Sequence, residues 1–304
     1  MPAAVSPPPR LAVALALAAV YLVWGSTYLA IAIGLEGFDP FVMAGSRFVA
    51  AGVILYGVLR WRGMAAPTHA QWRNAAIMGL LLMLLGNGLV CVAEQEVSSG
   101  LAAIAVASLP LWVGLFSWLK GRHPGRLEWL GIVIGFLGVL WLNAGSALSA
   151  SPKGALALLV APAAWGWGSV WSRDRDLPPS FMNTAAQMLT GGAMLLVLGF
   201  ALGERFDGWP APRPLLAVVY LTVFGSILAF SAYVWLLDHV RPALATSYAY
   251  VNPPVAVLLG ALVLGERFSA HAIGAMAVIL ASVVLITRAR RPVAAIPSPP
   301  TPSR

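Results

Sequence analysis

Charge is what this sequence has least of. Only 10% of its 304 residues are Asp, Glu, Lys or Arg, whereas a soluble domain carries about a quarter. With 60% hydrophobic residues and a mean hydropathy of +0.83, the chain reads as a polytopic membrane protein. Cysteine is nearly absent. Cys91 stands alone inside an apolar run, which excludes a disulfide framework or a thiolate metal site within one chain. HExxH, GxSxG, paired intramembrane aspartates and a nucleotide-binding loop are also missing, so nothing suggests an enzyme, built-in ATP hydrolysis, a metal or a cofactor. The net charge of +8 is spread over short loops, a pattern that argues against nucleic-acid binding.

What remains is long apolar runs. Ten are long enough, at roughly 20 residues each, to cross a bilayer: about 11–32, 40–59, 74–93, 98–119, 128–145, 154–172, 181–202, 214–236, 242–264 and 271–288. Residues 1–10 and 289–304 are rich in Pro, Ala and Ser and are expected to be disordered tails. The first run follows Arg10 and contains Ala30-Ile31-Ala32, which resembles a signal peptide and its cleavage site. It is too long for one, and its Trp24-Gly25-Ser26 recurs as Trp167-Gly168-Ser169, so it is read as the first helix.

That recurrence is part of a repeat. Leu101 matches Leu244, Ala102 Ala245, Pro110 Pro253 and Gly131 Gly274, each 143 residues on; Phe41 matches Phe181, Arg47 Gln187 and Gly52 Gly192 at 140. The repeats are expected over 11–146 and 153–288. Five spans per repeat is an odd number, so the second copy must enter the membrane from the other side. With the N-terminus inside, fourteen Lys and Arg fall on cytoplasmic segments and four on outer loops, Arg47 being the one within a span. This bias predicts both termini in the cytoplasm. The fold class is therefore all-α, with ten transmembrane helices as a 5+5 inverted-topology repeat.

Proline marks where the helices weaken. Asn252-Pro253-Pro254 lies within the ninth run and Pro110 at the matching place in the fourth. Proline removes a backbone donor and clashes with the carbonyl one turn back, and in hydrocarbon such a break is tolerated only against protein or a wet cavity. Paired interruptions of this kind point to a transporter's binding site, with Pro110, Pro253 and Pro254 as hinges.

The segments VWGSTYLAIAIGLEGFDPF, GNGLVCVAEQEVSSGLAAIAVASLPLW and HVRPALATSYAYVNPPVAVLLGALVLGERFS carry a resemblance to the EamA family of the drug/metabolite transporter superfamily, over about residues 11–288. The resemblance implies a bacterial inner-membrane exporter of amino acids or related small metabolites. Drugs, nucleotide sugars and quaternary ammonium compounds are alternative cargoes on the same fold, and a channel-like facilitator is a further one. Gly265-Glu266-Arg267 has no acidic counterpart in the first half, where Gly121-Arg122-His123 stands.

The polar and aromatic residues within spans are the site candidates. Arg47, about eight residues into its helix, is costly in hydrocarbon. It forms a polar midplane pair with Gln187, or snorkels to the outer interface beside Glu36 and Asp39. Tyr248 and Asn252 are four apart, on one helix face, near Thr246 and Tyr250; they contact substrate or stitch the ninth helix to its neighbours. Trp24, Trp165 and Trp167 supply aromatic walls, with Trp112, Trp171 and Tyr233 behind them. Trp61, Trp72, Trp129 and Trp209 are read as interfacial anchors. Asn87, between two glycines, lines the cavity or bonds a neighbouring helix. Gly131, Gly135 and Gly138 form a small-residue stripe for packing or a dimer contact.

No acidic residue falls clearly within a span, Glu94 being nearest, so transport down a gradient or by exchange is expected, without a proton relay. The predicted cavity is built by helices 1, 3, 4, 6, 8 and 9. Its partners are a small-molecule substrate and the lipid bilayer, and the chain is expected to be a monomer or weak homodimer.

Overall fold

The computed structural model describes residues 9–121, 125–144, 151–206, 208, 210–240 and 248–289. Most of both tails, Arg122, His123, Asp207, Trp209, Arg241 and Thr246, and the side chain of Tyr250, lie outside the described residues. There are no strands among the described residues. The helices are α1 (Arg10–Gly34), α2 (Pro40–Trp61), α3 (His69–Glu94), α4 (Ser99–Leu119), α5 (Arg126–Ala144), α6 (Pro152–Asp174), α7 (Ser180–Ala201), α8 (Pro212–Leu236), α9 (Tyr248–Val263) and α10 (Ala270–Ala289). Among the described residues, α1 to α4 and α6 to α8 are long and apolar enough to cross a membrane; the apolar parts of α9 and α10 are shorter.

Local chemistry sets where helices begin. Pro40, Pro152 and Pro212 occupy first-turn positions, where a missing N–H costs nothing. Thr68 and Gln71 form a reciprocal capping box at the start of α3, five residues before the expected boundary. Leu137, Leu140, Val197, Leu216 and Leu262 all point outward and are more than half exposed, as side chains solvated by lipid should be.

Two helix pairs form the rigid frame. Along α2 and α7, Gly45 faces Leu196, Gly52 faces Leu189 and Gly192 faces Val49, so numbers rise on one helix as they fall on the other. Along α5 and α10, Gly135 faces Ser282, Gly138 faces Ile279 and Trp141 faces Gly274 in the same antiparallel sense. The glycine stripe of α5 is thus used within the chain, against α10. These four helices are regular along their whole length.

The other six are irregular, and their irregularities are paired. Wide π-helical turns occupy Ala19–Val23 of α1, Gly79–Gly88 of α3 and Leu221–Leu228 of α8. Pro162, inside α6, stands 143 residues after Ala19, and Thr222 stands 143 after Gly79. The expected proline breaks differ from each other. In α4 the helix is interrupted at Ala107 and Ser108, and Pro110 sits in the first turn of the renewed helix at Leu109, where it is tolerated. In α9 no break appears: Pro253 and Pro254 lie within a continuous helix, which therefore lacks two backbone donors without opening.

At the end of the bundle where α2, α4, α6 and α8 begin, carboxylates tie the two repeats together. Glu204, after α7, accepts from the N–H groups of Val42 at 2.8 Å and Phe41 at 3.3 Å. Glu266, after α9, accepts from Ser99 at 2.8 Å and Gly100 at 3.2 Å. Gly265 turns the chain there with a φ of +66°, a conformation that favours glycine. Negative charge at a helix N-terminus satisfies orphan N–H groups and the dipole together. Burial raises the pKa of the Glu204 carboxyl, while the two N–H groups pull it down. Glu96 accepts from Ser151, the N-cap of α6, and Glu36 pairs with Arg213 at 3.3 Å.

A Cβ on Gly192 would lie 2.8 Å from the backbone nitrogen of Val49 and 3.1 Å from the Gly45 carbonyl oxygen. Backbone cannot yield as a side chain does. Gly192→Ala is therefore expected to cost about 1–3 kcal/mol and lower the melting midpoint in detergent, read by tryptophan fluorescence. Gly57→Ala, with nothing within 4 Å, should leave the midpoint unchanged or raise it.

Candidate functional site

The six irregular helices surround a cavity, part of it open to the exterior. Each irregular helix contributes: Trp24, Thr27, Tyr28 and Ile31 from α1; Gly86, Asn87 and Val90 from α3; Val106 and Leu109 from α4; Ala161, Pro162 and Trp165 from α6; Gly225 and Phe230 from α8; Tyr248 and Asn252 from α9. Regular helix α2 adds one residue, Arg47.

The aromatic wall is a connected cluster. The Trp24 ring meets Phe230 edge-on at 5.0 Å and Tyr248 at 4.9 Å, with Tyr233 tilted against it at 5.2 Å. Tyr233 and Tyr248 also meet edge-on, at 5.5 Å. Edge-to-face contacts of this kind hold rings in place beyond simple area burial. Trp24 is fixed further by donating from Nε1 to the Gly225 carbonyl at 3.1 Å. That carbonyl lies in the π-helical stretch of α8, where widened turns leave backbone acceptors available. Ser26, in the Trp-Gly-Ser motif, shares a 2.6 Å hydrogen bond with the Tyr220 hydroxyl. Gly25 lets α9 approach, since a Cβ there would sit 2.7 Å from Val255.

The lining also carries polar side chains. Arg47 is 5% exposed and donates from Nη2 to Oδ1 of Asn87 at 2.8 Å. Asn87 in turn donates to the Leu82 carbonyl, five residues back in the π-helical stretch. The guanidinium carbon of Arg47 lies over the Phe48 ring, 4.3 Å from its centre. Asn252 is 7% exposed, and its Oδ1 has no hydrogen-bond partner.

Six sequence-level candidates thus meet in one cavity: Trp24, Arg47, Asn87, Trp165, Tyr248 and Asn252. Others do not. Trp167 lies outside the lining; its ring meets Phe116 at 5.4 Å, and Lys120 stands over it at 5.6 Å. A helix advances 100° per residue, so Trp165 and Trp167 face different ways. Gln187 is buried but outside the lining, so Arg47 has no polar mate across the cavity at that position. Nor does Arg47 reach the outer acids: Glu36 pairs with Arg213, and Asp39 accepts from the Arg205 N–H at 3.1 Å. Trp112 packs on Phe116 and Phe136, and Trp171 under Arg175. Pro110, Pro253 and Pro254 flank the lining residues Leu109 and Asn252 without lining the cavity themselves.

Sequence reading missed Tyr28, Pro162 and Phe230. Tyr28 is four residues after Trp24, on its face of the helix, and Phe230 stands 143 residues after Asn87, so periodicity and repeat both held the signal. Glu94 ends α3, buried at 8% exposure, with no hydrogen-bond partner for either oxygen.

Asn87→Leu would leave the Arg47 guanidinium without its side-chain hydrogen-bond partner. A hydrogen bond to a charged group contributes about 1.5–3 kcal/mol, so a fall in the detergent melting midpoint is expected. Trp167→Leu, remote from that bond, should leave the Arg47–Asn87 contact intact and shift the midpoint only through lost packing on Phe116.

Comparison with known proteins gives a consistent answer. The model of the EamA-like transporter family matches twice, over residues 10–144 and 152–288. The chain is 47% identical over 273 residues to the uncharacterised inner membrane transporter YedA of Escherichia coli K12, covering 90% of this chain and 89% of that one. It is 26% identical to the uncharacterised transporter YoaV of Bacillus subtilis, covering 86% of this chain and 91% of the relative. A protein of known crystal structure shares the fold, with a TM-score of 0.66 and 22% identity over 92% of this chain and 99% of that one.

Proposed function

This chain belongs to the EamA-like transporter family, as a multi-pass membrane transporter of the drug/metabolite transporter superfamily, and on that footing we propose that it exports amino acids or related small metabolites across a bacterial inner membrane by alternating access. The inner-membrane placement follows the name of the YedA relative and the apolar helices. Ten spans, in two five-helix units of opposite topology with both termini in the cytoplasm, is the arrangement we favour. Antiparallel crossing of corresponding helices, α2 with α7 and α5 with α10, supports it. Two copies related by a two-fold axis in the membrane plane must bring such helices together antiparallel. The excess of Lys and Arg on one set of loops supports the orientation.

The observation that carries the reading is the composition of the cavity wall. Every helix with a weakened backbone contributes to it, and those helices come from both repeats. Irregular backbone at membrane depth is tolerated where it lines a cavity, and rocking one repeat against the other would expose that cavity to alternate sides. Pro110, Pro162, Pro253 and Pro254, with the π-helical turns, supply the flexing points. Trp24, Trp165 and Tyr248 would pack on an apolar cargo body, with Asn87, Asn252 and Arg47 reading its polar end. The aromatic wall with a lone arginine disfavours a quaternary ammonium cargo, which would meet like charge.

Counterflow of radiolabelled amino acids into proteoliposomes tests this. Saturable uptake of at least one is expected, with affinity reduced about tenfold or more in Asn252→Ala and in Trp165→Ala. Uptake linear in substrate concentration would indicate a channel and sink the carrier reading.

A further inference from the structure

Among the described residues, Arg47 is the one charged side chain in the cavity wall. Its guanidinium keeps its charge at every physiological pH, and burying such a group without a counter-ion is costly. Among the described residues no carboxylate forms an ion pair with it. The ion pairs among the described residues are Lys153 with Glu96 and Arg213 with Glu36. Glu94 is near enough to act on Arg47 through space but makes no contact with it, and both its oxygens are unpartnered. Of the five guanidinium N–H donors, Nη2 donates to the neutral amide of Asn87, while Nε is buried with no partner. Nη2 carries a second N–H, and that N–H together with Nε–H forms a fork that matches a carboxylate, whose two oxygens accept in parallel.

We infer that Arg47 binds the cargo's carboxylate in a two-pronged hydrogen bond, and that the transporter selects small molecules bearing one free carboxylate beside an apolar body. The assignment rests on the transporter reading. Charge count narrows it: one cation balances one negative charge, so a phosphate monoester or nucleotide sugar would bring uncompensated charge into the cavity. The apolar body faces the ring cluster of Trp24, Phe230 and Tyr248. An ammonium group on the same molecule could donate to the unpartnered Oδ1 of Asn252, which admits zwitterions alongside simple acids. Asn87 is then the positioning residue, holding the guanidinium by Nη2 and leaving Nε free.

The test compares acids with their primary amides, which keep size and shape and lose only the charge. The probes are 3-phenylpropanoate with 3-phenylpropanamide and L-leucine with L-leucinamide, titrated against the purified full-length chain by tryptophan fluorescence and then used in proteoliposome counterflow. At least one acid should bind tenfold or more tightly than its amide in the wild type. Arg47→Gln should reduce that ratio to about one, and Arg47→Lys, which keeps charge but loses the fork, should fall between. If Arg47→Gln does not fold, the wild-type ratio decides alone. Equal binding of acid and amide, a preference that survives in Arg47→Gln, or no binding by either acid overturns the assignment. Saturable counterflow with a ratio of one overturns it while sparing the transport reading. A full ratio without counterflow does the reverse.

Discussion

A backbone in hydrocarbon has no water to fall back on, and this constraint orders the whole molecule. Each unsatisfied N–H or C=O at bilayer depth is expensive, so a helix facing lipid must be regular. The four helices of the frame, α2, α7, α5 and α10, meet that demand. Wide turns, a proline-led restart and in-helix prolines are confined to the other six, and all six converge on the cavity. There the freed groups find side-chain partners, on a neighbouring helix or on their own. The Gly225 carbonyl takes the Trp24 indole, and the Leu82 carbonyl takes the Asn87 amide. The irregular backbone supplies the acceptors that fix the binding side chains, so weakness and recognition are parts of one arrangement.

The regular helices do a complementary job. Glycines at 45, 52 and 192 bring α2 and α7 to backbone contact, and a crossing that close resists shear because packed interfaces deform little. At one end of the bundle, Glu204 and Glu266 cap helices of the opposite repeat. Their counterparts in the first repeat are not acidic: the chain has Met64 after α2 and Arg122 after Gly121. Arg122 and the other cations of those loops would not suit helix N-termini, where the dipole favours negative charge. The carboxylate caps are therefore confined to one repeat's loops acting on the other's helices.

Much of this was legible in the sequence. Span positions follow from length and apolarity, and the repeat follows from matches such as Trp24-Gly25-Ser26 with Trp167-Gly168-Ser169. The wide turns were not legible. Gly79–Gly88 reads as an ordinary apolar run, because a π-helical stretch differs from an α-helix in hydrogen-bond register and not in composition. Proline was legible as a disturbance but not as a particular one: Pro110 starts a helix piece, whereas Pro253 and Pro254 ride inside one. The acid caps were hidden because Glu204 and Val42 are 162 residues apart. Trp167 shows where the repeat misleads, since equivalence in sequence does not fix which way a ring points once the two copies have diverged.

That divergence explains how a doubled scaffold handles an unsymmetrical cargo. An undiverged repeat would offer the same groups at both walls, and a molecule with one polar end would bind equally well in two reversed poses. Here Arg47 answers to Gln187, Asn252 to Leu109 and Tyr248 to Ala105. In each pair one member reaches the cavity with a charge, an amide or a phenol, and the other is outside the lining or apolar. On the proposed rocking mechanism, matched halves would serve the frame, and unmatched walls would serve to orient an unsymmetrical cargo. If the site is as proposed, departures from the repeat that fall on the cavity face are where specificity would be written, whereas the acid caps are departures that join the two repeats.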